Sequence, residues 1–165
     1  MPQELKLLEA IKLAIQTEKD VMDFYLKAAA LTNNERGKKV FELLAKEERE
    51  HAGHFFKIYT GSDLGSFEDF MAQPPSSNHA MLKQLEKALD ENTHERKAME
   101  LALQEEEDLV KNLRMTASHI VDPTVRAVFD RMAEETETHY AIIESEYAHL
   151  MAMVHETDID IYVRE

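Results

Sequence analysis

Ala45-Lys46-Glu47-Glu48-Arg49-Glu50-His51 lies in the middle of an otherwise apolar helical pattern. Around it Val40, Phe41, Leu44, Phe55 and Tyr59 recur at spacings of three and four, which marks one buried helix face. Glu48 and His51 fall on that face. A carboxylate and an imidazole at i, i+3 point the same way from a helix, and burying both is costly unless something binds them. A metal ion meets that need, provided that other helices supply further ligands.

Working outward, Pro2-Gln3-Glu4 suits a helix start, with proline and acid in the first turn. Leu8, Ile11, Ile15, Glu18, Met22, Tyr25 and Ala29 then make one stripe, with Glu18 at its centre. Thr32-Asn33-Asn34 breaks this helix and caps a second, expected from about Glu35 to Thr60 with Gly61 as its stop. Residues 61–92 form a connector with one short turn capped by Ser66, a helical segment through Met81, Leu82, Leu85 and Leu89, and a break near Asp90-Glu91-Asn92-Thr93. Met99, Leu103, Glu106, Val110, Leu113 and Ala117 form the third long stripe, again with a lone central glutamate. Asp122-Pro123 starts the last helix, which carries Val125, Val128, Met132, Thr136, His139, Ile143 and Tyr147 on one face. From Asp158 apolar Ile159, Ile161 and Val163 alternate with polar residues, so residues 158–165 are expected as an extended tail.

A shift of 88 residues aligns 10–59 with 98–147 without a gap and leaves thirteen of fifty pairs identical. Ala10, Leu13, Ala14, Gln16, Glu18 and Asp20 meet Ala98, Leu101, Ala102, Gln104, Glu106 and Asp108. Val40-Phe41, Ala45, Glu47, His51 and Tyr59 meet Val128-Phe129, Ala133, Glu135, His139 and Tyr147. Repeats that bury a shared face belong to one fold. The expectation is an all-α, ferritin-like antiparallel four-helix bundle over 1–157, its hairpins at about 5–60 and 93–150.

Composition agrees. Four glycines, four prolines and no tryptophan accompany abundant helix formers. A formal charge of −14 argues against nucleic acid or an anionic membrane as partner. The absence of cysteine removes disulfides and thiolate metal sites. No apolar run approaches a membrane span and no signal-peptide layout opens the chain, so the expected location is the cytoplasm.

The chemistry follows from the paired positions. One glutamate from each of two helices plus Glu-x-x-His from each of the other two is the ligand set of a carboxylate di-iron or di-manganese site. Glu18, Glu106, Glu48 and His51 fill their places. On the last helix Thr136 stands three residues before His139, where a glutamate belongs. Glu135, four before His139, has two open readings: a substitute ligand, or a rim residue like its repeat mate Glu47. A single buried glutamate or histidine is usually a satisfied core group; four at matching heights are not explained that way. His54, one turn after His51 and replaced by Ile142 in the second half, is expected as an ordinary flank residue; His79, His94, His119, His149 and His155 fit no ligand spacing and are expected at the surface or at helix ends. The methionines are core filler.

Leu44-Ala45-Lys46-Glu47-Glu48-Arg49-Glu50-His51 and Gln16-Thr17-Glu18-Lys19-Asp20 through Phe24-Tyr25 resemble the second and first helices of rubrerythrin-like proteins, and the similarity spans about residues 5–155. That resemblance implies a non-haem centre of two iron ions, with manganese or zinc as substitutes. It implies an oxidoreductase that reduces peroxide or oxygen, a role in oxidative stress, and Tyr25 hydrogen-bonded to a ligand carboxylate. With no cysteine for a rubredoxin iron, electrons must come from an external donor such as a separate rubredoxin. The further glutamate that rubrerythrins carry three residues after the third-helix ligand corresponds to Leu109. The expected metal residues are Glu18, Glu48, His51, Glu106, Glu135 and His139, and the expected assembly is a homodimer. A ferroxidase or iron-storage bundle and a metal-binding scaffold with a degenerate site are the alternatives.

Overall fold

A computed structural model describes residues 2–87 and 91–163, with side chains described for 6–87 and 95–152. Four long helices dominate: α1 Pro2–Leu31, α2 Glu35–Ile58, α5 Glu91–Ser118 and α6 Pro123–Val163. Two short helices, α3 Phe67–Met71 and α4 Ala80–Glu86, lie in the connector. No strand occurs among the described residues. α1 packs mainly on α2 and α5 mainly on α6, so each half of the repeat is a helical hairpin. Between the hairpins α1 faces α5 and α2 faces α6.

Each junction has a chemical cause. The Asn34 side chain accepts from the Gly37 N–H at 3.0 Å and starts α2. Its repeat mate Asp122 accepts from the Thr124 and Val125 N–H groups and starts α6. Ser66 caps α3, accepting from Asp69 N at 3.1 Å. α2 ends at Ile58, short of the expected Thr60, and Gly61 is not its stop. Tyr59 turns the chain into extended backbone (φ −82°, ψ 118°), and its hydroxyl is held by Asp63 at 2.6 Å. The left-handed glycine of the connector is Gly65, at φ 72°.

α4 starts at His79, which is buried and doubly used. Nδ1 accepts from Leu82 N at 3.4 Å and Nε2 donates to the Asp20 carbonyl at 2.6 Å, which ties the connector to α1. The expected break near Asp90 lies largely outside the described residues, and α5 is already helical at Glu91. The extended tail is corrected: α6 runs on through Val163. After Pro123 no proline or glycine interrupts it, and a formed helix adds one hydrogen bond for each residue fixed.

The core holds most of the expected apolar stripe. Ile11, Ile15, Met22, Phe24, Tyr25, Phe41, Leu44, Phe55, Met99, Phe129, Met132 and Ile143 are among its fully or nearly fully buried members. Phe55 and Phe129 meet across the hairpins with ring centroids 4.9 Å apart. No described helix is long and apolar enough to cross a membrane.

Candidate metal centre

The polar residues that interrupt the apolar stripes meet halfway along the bundle. Glu18 from α1, Glu48 and His51 from α2, Glu106 from α5, and Thr136 and His139 from α6 are all buried. Glu48 stands between the two histidines. Its Oε1 lies 2.8 Å from His139 Nδ1, and its Oε2 lies 3.7 Å from His51 Nδ1. His51 Nδ1 is also 3.6 Å from Glu18 Oε2, and His139 Nδ1 is 4.0 Å from Glu106 Oε1. The imidazole rings are nearly parallel, 5° apart in plane with centroids 4.9 Å apart. Glu48, His51 and His139 each offer a ligand atom within 4.8 Å of the others.

One pattern separates this cluster from an ordinary polar core. Among the described residues, every buried side-chain nitrogen or oxygen without a hydrogen-bond partner belongs to it: both oxygens of Glu18, Oε2 of Glu48, Nδ1 of His51 and Oε2 of Glu106. Leaving such atoms unpaired costs roughly 1–3 kcal/mol each, and here five converge. The donor set, carboxylate oxygens with imidazole nitrogens, fits iron, manganese or zinc.

Charge accommodation tells the same story. Burial, and then the charge of Glu48, pushes the Glu18 carboxyl well above its ordinary range. Glu106 is raised by the same two causes. Burial would raise Glu48 too, but the groups around it, Glu18, His139 and His51, hold it well below the usual range. For His51, burial works against charge, and the adjacent Glu18 and Glu48 outweigh it and raise the pKa to about 11. Without a cation, the cluster balances itself with protons.

The outer ring nitrogens have their own partners. His51 Nε2 lies 2.9 Å from Glu135 Oε2, and His139 Nε2 pairs with Glu47 Oε2. Each pair crosses from one hairpin to the other, and the repeat exchanges one pair for the other. Glu135 is thus at the nitrogen of His51 opposite the one that faces Glu18 and Glu48. Its other oxygen accepts from Arg131 Nε at 3.3 Å, and its side chain is 38% exposed. Thr136 contributes no carboxylate, and its hydroxyl donates to the Met132 carbonyl at 2.7 Å. Tyr25 donates to Glu106 Oε1 at 2.5 Å, reaching from α1 across to α5. Leu109 is simply part of the core.

The model of the rubrerythrin family matches residues 9–147. The chain belongs to the rubrerythrin family. The match spans both hairpins and every residue of the cluster. No curated protein and no solved structure compared with the chain matches it. Within this rubrerythrin framework, the sequence pattern brought Glu18, Glu48, His51, Glu106 and His139 together, with Tyr25 beside them. It missed the use of Glu47. The signal was there: Glu47 and Glu135 are an identical pair of the repeat, and a rim residue with no task has little reason to match.

Proposed function

We propose that the chain holds two iron ions between its four helices and reduces hydrogen peroxide or dioxygen with electrons from a separate donor. The observation that carries this reading is the convergence of unpaired buried oxygens and nitrogen on one point of a rubrerythrin-family bundle. Glu18 and His51 would hold one ion, Glu106 and His139 the other, with Glu48 between them. Bound iron would supply the one-electron steps, and the reaction consumes two electrons and two protons per peroxide to give two waters.

The chain's own residues set the conditions. Glu47 and Glu135 keep each Nε2 proton outward, which leaves Nδ1 as the ligand nitrogen. Tyr25 fixes Glu106 by its hydroxyl and holds a proton beside that carboxylate. Phe24 and Phe41 pack on Tyr25, Phe55 packs on Phe129, and all four rings are buried, which keeps the interior that holds the polar layer apolar and limits water there. The 165 residues contain no cysteine for a thiolate-bound iron, so the electrons reach the centre from a donor outside them.

The test is anaerobic: reduced, iron-loaded protein is mixed with peroxide and oxidation is followed by stopped-flow absorbance. The expected result is oxidation well above that of free ferrous ion, lost in Glu48→Ala together with bound iron. A rate no higher than that of free ferrous ion would sink the reading. Thr136 supports one competitor, a binding scaffold with a degenerate site; stoichiometric iron with redox turnover would exclude it.

A further inference from the structure

The repeat places Thr136 where its mate Glu48 stands in the first half. Thr136 is fully buried, one turn before His139 on the inward face of α6. Its hydroxyl is committed to the Met132 carbonyl at 2.7 Å and carries no charge. Among the described residues, no neighbour takes over the lost carboxylate. Glu135 is occupied at His51 Nε2 and with Arg131, and its side chain is partly in solvent. Glu47 is likewise partly exposed at His139 Nε2.

The consequence follows from charge. Two divalent cations facing only Glu18, Glu48 and Glu106 are one negative charge short of neutrality in a buried layer. An uncompensated charge there is costly, and Glu47 and Glu135 compensate less because water screens them. Coordination points the same way, because three carboxylates and two imidazoles leave more positions unfilled than four carboxylates would. Shape agrees as well, since the threonine side chain stops at the γ position, one carbon short of where a glutamate would place its carboxylate.

We infer, resting on the two-cation reading above, that the centre of this chain takes up a small external carboxylate, of formate or acetate size, beside Thr136. The anion does the work of the absent glutamate side chain. Because it stabilises the loaded centre, cation and anion reinforce each other's binding reciprocally.

The experiment uses the full chain, freed of metal and titrated with cobalt(II) in a carboxylate-free buffer, followed by formate. Equilibrium dialysis gives the cobalt count, and the visible cobalt spectrum reports formate. The expected result is two cobalt ions per chain, a saturable spectral change with one formate, and cobalt affinity that rises with formate concentration. In Thr136→Glu the protein supplies its own carboxylate, so formate should bind at least about tenfold more weakly, the equivalent of 1.4 kcal/mol, and cobalt affinity should lose its formate dependence. Should that variant fail to fold, the formate dependence of cobalt affinity in the unaltered chain decides alone. Two cobalt ions with no formate response would overturn this inference while leaving the two-cation reading intact. Fewer than two cobalt ions even at saturating formate would overturn both.

Discussion

Glu47 and Glu135 decide what each histidine can offer. A carboxylate on each Nε2 keeps that proton outward, so the proton displaced by an entering cation is the one on Nδ1, which faces the interior acids. Truncating either should weaken metal binding by about 10–100-fold, the usual cost of losing such an orienting partner. Calorimetric titration of Glu47→Ala and Glu135→Ala checks this, and it also separates the two readings of Glu135. An orienting residue lowers affinity at unchanged stoichiometry, whereas a ligand would take a metal equivalent with it. At this scale the centre was largely legible, because Glu18, Glu48, His51, Glu106 and His139 each break an apolar period and the repeat aligns them in height. The cross-hairpin pairs were not. A helix period says which side of its own helix a residue occupies, not which residue of another hairpin its outer edge will meet. The Lys19–Asp23 pair, 2.6 Å apart within α1, has ordinary i, i+4 spacing, but its burial is set by the packing around it and not by that spacing.

Among the elements, the four long helices were readable from stripes, caps and the repeat, and the bundle followed from the short turns within each hairpin. The ends were less so. α2 ends at Ile58, where Tyr59 turns extended and its hydroxyl meets Asp63, and the alternation near Asp158 suggests an extended tail where α6 simply continues. The sequence marks His79 only as a surface or helix-end residue; it is a helix end, but a buried one that caps α4 and grips the Asp20 carbonyl. His79→Ala should therefore loosen the connector rather than the centre. Losing a cap and a second hydrogen bond to a carbonyl that α1 already uses should lower stability by about 1–2 kcal/mol. Hydrogen exchange should quicken within 80–86 while cobalt stoichiometry stays the same. Unchanged exchange there would mean that the tether is idle.

For the molecule as a whole, the buried centre should couple folding to protons and to metal with opposite signs. In the metal-free chain Glu18 and Glu106 are raised by burial and by Glu48. Above the ordinary carboxylate range the folded state therefore binds protons that the unfolded chain has lost, and stability falls as pH rises. His51, raised to about 11 by Glu18 and Glu48 against the pull of burial, extends that loss from its ordinary value of 6.5 upward. Glu48, held low, works the other way: its contribution is present above the ordinary carboxylate range and is lost only in acid. The apo protein should thus lose stability between pH 6.5 and pH 9, by up to about 1.4 kcal/mol per pH unit for each proton retained on folding. Metal reverses the slope. Ligands must be deprotonated to bind a cation, so loading should expel the protons of Glu18, Glu106 and His51, and affinity should grow with pH. Calorimetric melting at pH 6.5, 7.5 and 9, with and without cobalt, should show the apo transition moving down while the gap to the loaded transition widens. Loading in weak buffer with a pH indicator should show the released acid. An apo transition that rises with pH, or cobalt uptake without acid release, would mean that the interior acids are ionised before the cation arrives. The centre would then owe its assembly to something other than the exchange of protons for metal.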